Sequence, residues 1–173
     1  MAETALKIDK FHLKGNASFT IREGWLTKGM RNVTQDPEVF LRENATAILG
    51  VGSAMVKSIR FWLQAAGLTS EPRAGRRVQT LTQLGQIIMN NDPYFEDLFS
   101  LYVVHANIAS NRRLTTAWYL LFNAFDAQRF TRTTMEDHLL TTFKELVNVG
   151  FSEASFRDDC ATALKTYVAD KVK

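Results

Sequence analysis

The side chains in this sequence with the most chemical potential are three histidines, one cysteine and scattered acids. His12, His105 and His138 lie far apart along the chain and lack the spacing of metal ligands. Acidic neighbours raise the pKa of a thiol, so the pair of aspartates before Cys160 disfavours a nucleophile there. The chain has no phosphate-binding glycine loop and no nucleophile elbow. These residues therefore predict no enzyme activity, no cofactor and no metal centre.

One acidic cluster has two interpretations. Asp92, Glu96 and Asp97 lie within two helical turns of one another, so a nuclease-like or acid–base pair is one interpretation. The other is structural, because an aspartate followed by a proline and then a glutamate is typical of a capped helix start. We favour the cap.

Composition and charge limit the class of protein. With 173 residues, 46% hydrophobic and 23% charged, the chain is large enough for one medium domain or two small ones with a buried core. A single cysteine, the lack of a secretion signal and the lack of a long apolar run predict a soluble, cytoplasmic protein without membrane contact. Residues 1–90 hold 12 Lys and Arg against 7 Asp and Glu, whereas 91–173 hold 9 against 11. A basic first half is what a polyanion-binding face requires.

Helices are predicted between the prolines at positions 37, 72 and 93. The run from Asp36 combines a cap residue, a proline and an early acid, which predicts a helix start. Helices at 44–49 and 53–66 flank the turn Gly50-Val51-Gly52. Apolar residues of the second helix recur at three- and four-residue steps and predict a buried face of Met55, Val56, Ile59, Trp62, Leu63 and Ala66. Gly67 is predicted to end the 53–66 helix in a left-handed conformation. Thr82 is predicted to cap another helix that begins at about residue 82.

A basic hairpin is predicted after this helix. Segments 68–70 and 77–80 have strand character and are joined by a turn-forming stretch rich in arginine. Helix, glycine turn, longer helix and hairpin is the order of a winged helix-turn-helix, in which one helix enters the DNA major groove and the hairpin contacts phosphates. The residues predicted to contact DNA are Ser53, Lys57, Ser58, Arg60, Gln64, Arg73, Arg76 and Arg77. The structural alternative is a solvated helix face and a charged hairpin tip that prevents aggregation.

The predicted fold class is mainly α. An N-terminal winged helix-turn-helix with a small β-hairpin wing occupies 1–90, and a helical subdomain at 91–173 packs on it. Helices are predicted in the second half at about 94–109, 114–125, 133–147 and 155–169. The aromatic residues between them recur at near-helical spacing, which is typical of core packing rather than of a cofactor site.

Several blocks of sequence resemble the bacterial domain of unknown function 4007. The blocks extend from about Phe11 to Tyr167 and include 15–26, 49–63, 92–97, 105–111, 116–119 and 122–123. The first block departs from the family pattern. Family members commonly have Gly-His-Glu, then Thr or Ser and Phe, where this chain has Gly15-Asn16-Ala17-Ser18-Phe19. No role of that histidine and glutamate therefore passes to this chain.

The resemblance implies a functional setting. Members of this family tend to be encoded beside a phosphoadenosine-phosphosulfate-reductase-like protein and beside genes of DNA phosphorothioation or phage defence. We therefore predict a DNA-binding accessory protein of such systems, with double-stranded DNA as its partner. The alternative is a winged-helix scaffold that recruits the reductase-like protein without binding DNA. A second copy of the chain, forming a homo-oligomer, is a further candidate partner.

Overall fold

The computed structural model describes residues 7–72 and 74–168. Within them lie eight α-helices, a short 3₁₀ helix at Val39–Leu41 and one antiparallel pair of strands. This confirms a mainly helical fold with a small hairpin. None of the helices in the described ranges combines the length and apolar character needed to span a bilayer. The α-helices are α1 (Trp25–Gln35), α2 (Ala45–Leu49), α3 (Ser53–Ala65), α4 (Gln83–Asn91), α5 (Leu98–Ser110), α6 (Thr116–Asn123), α7 (Arg132–Leu146) and α8 (Glu153–Tyr167), and the strands are β1 (Thr69–Ser70) and β2 (Thr80–Leu81).

The chain divides into two compact units. Among the described residues, the central unit comprises 15–72 and 74–108, and the terminal unit combines 7–14 with 109–168. The predicted division at residue 90 falls inside α4. The described N-terminal residues belong with the C-terminal helices because the Ile8 backbone N–H donates to the Leu146 carbonyl at 2.8 Å.

Helix α1 was not predicted from the sequence. Its centre contains Gly29, which lowers intrinsic helix propensity. The structure shows why glycine lies there: an added Cβ would be 2.6 Å from the Leu63 side chain and 2.9 Å from that of Ile59. Close packing against α3 stabilises α1, and packing of this kind outweighs local propensity.

The two helices predicted on either side of the Gly50-Val51-Gly52 turn are confirmed as α2 and α3. α3 covers nearly all of the predicted 53–66, and Gly67 adopts the predicted left-handed conformation with φ of 71°. The helix start predicted at Asp36 is wrong in extent, since only the 3₁₀ helix forms there. The strands are shorter than predicted, and the second lies later in the chain, with Thr69 paired to Leu81 and Ser70 to Thr80.

The base of the hairpin is closed onto α4. Thr82 is the predicted cap, since its hydroxyl accepts the Gly85 N–H at 3.0 Å and also donates to the Gly67 carbonyl at 2.6 Å. A Cβ on Gly85 would lie 2.1 Å from the Leu68 carbonyl oxygen. Only glycine allows the helix to approach the strand backbone this closely.

The terminal unit has an aromatic core. Phe143 on α7 stacks on Phe156 of α8 with ring centroids 4.5 Å apart and an interplanar angle of 7°, and both are fully buried. Phe11 and Phe151 pack against Phe143 at 5.1 and 4.6 Å. These rings are not the ones that the near-helical spacing predicted to be core: of those, Trp118 is buried, whereas Phe99, Tyr102, Phe122 and Phe130 are exposed, so that prediction is wrong for these four. The predicted helices of this half match α6, α7 and α8 within two residues at each end, whereas α5 begins four residues later than predicted.

Candidate nucleic-acid interface

The outer face of α3 presents part of the predicted DNA-contacting set. Ser53 and Lys57 are exposed at the start of the helix, one turn apart. Lys57 makes no hydrogen bond or ion pair within the described residues. Ser58 is a correction, because it is fully buried and its hydroxyl has no partner in the described part of the chain. The buried face of α3 is wider than predicted and includes both Ser58 and Phe61.

Arg60 and Gln64 lie on the same face but bind within the protein. Arg60 Nε donates to Glu71 Oε1 at 2.5 Å, and Gln64 Nε2 donates to the same oxygen at 3.2 Å. Gln79, which is almost fully buried, donates a third hydrogen bond to it at 3.2 Å. Only 9% of the Glu71 side chain is exposed, so its charge is compensated by the Arg60 guanidinium rather than by water.

This network places the hairpin against α3. Gln79 also donates to the Arg60 carbonyl at 3.1 Å, and Thr69 donates to the Gln79 side-chain oxygen at 3.2 Å. Glu71 and Gln79 thus join the two ends of the hairpin loop to the helix. Sequence reasoning missed both residues. One signal could have found them. An acid and an amide lie at opposite ends of the loop, and the preceding helix carries an arginine.

The hairpin loop carries the remaining predicted arginines. Arg76 is largely exposed and forms an ion pair with Glu38 at 3.0 Å. Arg77 is exposed, and its backbone carbonyl accepts a hydrogen bond from the Arg60 guanidinium at 3.3 Å. That bond brings the loop beside the Arg60 turn of α3. Arg73 lies outside the described residues.

Some cations of the predicted basic face are therefore paired with acids, and others are not. Arg60 and Arg76 are matched by Glu71 and Glu38, whereas Lys57 and the Arg77 side chain have no ion-pair partner among the described residues. A further ion pair links Arg42 to the same acidic turn. We define the α3–hairpin face as Ser53, Lys57, Arg60, Gln64, Arg76 and Arg77.

A second group of cations lies at the start of α1. Arg22, Lys28 and Arg31 line a groove of about 910 Å³ together with Glu23, Glu96 and aromatic residues. Arg22 lies against two aromatic rings at this groove. Its guanidinium lies 5.4 Å from both the Phe19 and Trp25 rings while the residue remains exposed.

The groove continues into the segment before α5. Arg31 lies 4.6 Å above the Tyr94 ring and donates to its hydroxyl at 2.6 Å. Lys28 donates to the Leu49 carbonyl at 3.0 Å. These cations are held by rings and carbonyls, with no acid paired to them in the described ranges.

The acidic cluster before α5 orders the chain, but the helix start predicted at Asp92 is wrong, since Asp92 ends α4 and α5 begins at Leu98. The Asp92 carboxylate accepts the backbone N–H groups of Glu96 and Asp97 at 2.9 and 3.2 Å, and Asp97 accepts that of Phe99 at 2.8 Å. A hydrogen bond from Ser100, followed by the backbone bonds, lowers the pKa of Asp92. Its oxygens are thus used in ordering the chain.

The other chemical candidates lie in structural settings. Burial raises the pKa of the Cys160 thiol, and nearby Glu136 and Asp159 raise it further. The thiol is therefore a poor nucleophile. Within residues 7–72 and 74–168, no three His, Cys, Asp or Glu side chains form a group able to hold a metal ion.

Fold and site together define a mainly helical protein with a hairpin fixed to an exposed, partly basic helix face. Comparison with protein families then places it. The chain belongs to the family described as protein of unknown function DUF4007, whose model matches residues 14–173.

Two solved structures are similar to this chain. One is a magnesium ion-bound SspB crystal structure, with 29% identity and a TM-score of 0.82, and the other is an SspB crystal structure, with 28% identity and a TM-score of 0.79. Each match covers 91% of this chain, and the chain spans about half of the SspB chains, 49% and 50%. No curated protein matches the sequence.

Proposed function

We propose that this protein is a DNA-binding accessory component of bacterial DNA phosphorothioation or phage-defence systems. Helices α1–α3 and the hairpin act as a winged helix-turn-helix, with α3 directed at the major groove and the loop at the phosphate backbone. Family membership and the likeness to SspB support the setting. The observation that carries the proposal is the joining of α3 to the hairpin through Glu71, which brings exposed Lys57 and Arg77 to neighbouring elements.

The roles within the α3–hairpin face differ. Lys57 and Arg77 lack an internal acid and contact phosphate directly. Arg60 and Gln64 are positioning residues that act through Glu71. Arg76 leaves its exposed ion pair with Glu38 to bind a phosphate. Breaking that pair costs little free energy, because exposed ion pairs are weak.

Fluorescence anisotropy with a labelled duplex, plain or phosphorothioated, at a series of salt concentrations tests this proposal. Each phosphate contact contributes a slope of about 0.9 to the fall of log affinity with log salt. Replacing Lys57 and Arg77 with alanine is expected to reduce the slope by about 2. Arg113→Ala is the matched control, since Arg113 is an exposed arginine of the terminal unit. An unchanged slope in the double variant would contradict the assignment.

The second candidate is a winged-helix scaffold that binds a reductase-like protein and not DNA. The ion pairing of Arg60 and Arg76 favours it, because these cations are already neutralised. Absence of duplex binding at low salt, combined with co-purification of the reductase-like protein that fails after Lys57→Glu and Arg77→Glu, would select this candidate.

A further inference from the structure

The outer face of α5 is an exposed apolar surface of the central unit that the proposed function does not use. Phe99, Tyr102 and Leu98 are 72%, 67% and 65% exposed, although they belong to a helix of mostly apolar residues. A helix of that composition is ordinarily buried. The surface therefore calls for a partner.

The surface is continuous beyond the helix. Ile87 of α4 shares a groove of about 600 Å³ with Phe99, and Tyr94 shares the groove beside α1 with Leu101. We define the α5 face as Ile87, Tyr94, Leu98, Phe99, Leu101 and Tyr102, all of which are exposed. At about 200 Å² for a fully exposed large side chain, these residues offer about 700 Å². That exceeds the usual largest patch of a monomer and is close to the roughly 800 Å² that each partner contributes to a stable interface.

We propose that the α5 face pairs two copies of this chain. α5 carries no Lys or Arg, and Arg31 at the edge of the face is held by the Tyr94 ring and hydroxyl, so the centre of the face offers no cation to a nucleic acid. Its residues are also complementary to themselves. If two α5 helices run antiparallel across a two-fold axis at Tyr102, Leu98 of one copy lies opposite Ala106 of the other, four residues on the far side of the axis. A large side chain thus meets a small exposed one at both ends of the contact.

Charge selects the antiparallel arrangement. Glu96 and Asp97 lie just before the first turn of α5 and are exposed. A parallel pair would bring the two sets of acids together, whereas the antiparallel pair separates them to opposite ends. The Tyr102 rings meet near the axis and keep their hydroxyls at the rim, where tyrosine is favoured.

Sedimentation of the full chain over a concentration series tests the proposal. The wild-type chain is expected to have twice its 19.6 kDa mass at micromolar concentration. Tyr102→Glu places two charges at the axis and is expected to weaken the dimer at least tenfold. Val149→Glu is the matched control, since Val149 is 56% exposed and lies in the terminal unit. A monomeric wild type, or a dimer unaffected by Tyr102→Glu, would overturn the proposal.

Cysteine cross-linking tests the register. The natural Cys160 is buried, so an introduced surface cysteine reports without interference. Tyr102→Cys is expected to form an intermolecular disulfide, because facing Cα atoms at the axis come within reach of one. Leu98→Cys and Ala106→Cys are each expected to cross-link poorly by themselves and well when mixed. Efficient cross-linking of Leu98→Cys with itself would contradict the antiparallel register. These readouts do not involve DNA and are independent of the proposed function.

Discussion

The hairpin of the central unit and the α7–α8 pair of the terminal unit differ in what holds them together. The hairpin has two residues in each strand, and its loop is attached to α3 by two hydrogen bonds, from Arg60 and Gln64, to one Glu71 oxygen that also accepts from Gln79 of the loop. Helices α7 and α8 are held by the stacked rings of Phe143 and Phe156. The stabilisation from apolar packing is roughly proportional to the buried area, so it is spread over many atoms. The stability of a buried carboxylate depends instead on every hydrogen-bond donor around it. The candidate DNA-binding element is thus sensitive to single polar changes.

Phe156→Ala has the largest expected effect. Phe156 is fully buried against Phe143, so its loss leaves a cavity and is expected to reduce the free energy of unfolding by about 3–5 kcal/mol. Urea denaturation measures the change. Phe130→Ala is the control, since Phe130 is 44% exposed and is expected to cost below about 1 kcal/mol. Equal effects of the two substitutions would show that the stack is not the centre of this core.

Glu71→Ala tests the hairpin. It removes the charged acceptor of the partly buried Arg60 guanidinium and one of the two acceptors of the Gln79 amide, with an expected loss of about 2–3 kcal/mol. Hydrogen exchange should locate the loosening in β1, β2 and the end of α3. Glu71→Gln keeps an oxygen acceptor and is expected to lose about half as much. If Glu71→Ala stays within about 0.5 kcal/mol of wild type, the network does not position the hairpin.

Asp159 makes the stability of the terminal unit depend on pH. Burial raises its pKa from 3.8 to about 6, opposed by the Lys14 backbone N–H that it accepts at 2.9 Å. The folded state therefore holds this proton more tightly than the unfolded chain. The free energy of unfolding falls as pH rises from about 4 to about 6, by about 2–3 kcal/mol in total, and stays lower above that range.

Substitution at this site isolates the effect. Asp159→Asn keeps an oxygen for the Lys14 N–H and is expected to flatten that slope and to raise stability at pH 8. Asp158→Asn is the control, because Asp158 forms an exposed pair with the Lys14 ammonium at 2.8 Å; its charge raises the pKa of Asp159 less than burial does, so most of the slope is expected to remain. Thermal unfolding at a series of pH values compares the three proteins. A steep slope that persists in Asp159→Asn would assign the pH dependence to another group.

Local patterns predicted the elements better than they predicted side-chain roles. The Thr82 cap and the Gly67 turn depend on neighbouring residues, so the sequence was sufficient for them. Helix α1 could not be predicted, because the packing of Gly29 on α3 is a tertiary contact. The same limit applies to the candidate site. Helical spacing placed Arg60 on the correct face, but its pairing with Glu71 depends on how the hairpin folds back.

Arg76→Ala has the smallest expected effect and separates surface charge from positioning. The Arg76 side chain is 67% exposed, and Arg42 lies 3.6 Å from the same Glu38 carboxylate and continues to compensate it. The expected change in the free energy of unfolding is therefore below about 0.5 kcal/mol in urea denaturation. In duplex titrations the salt slope is expected to fall less than with Arg77→Ala, because Arg76 is shared between phosphate and Glu38. A loss above about 1 kcal/mol would mean that the Glu38 pair also holds the hairpin, and that Glu71 is not its main attachment.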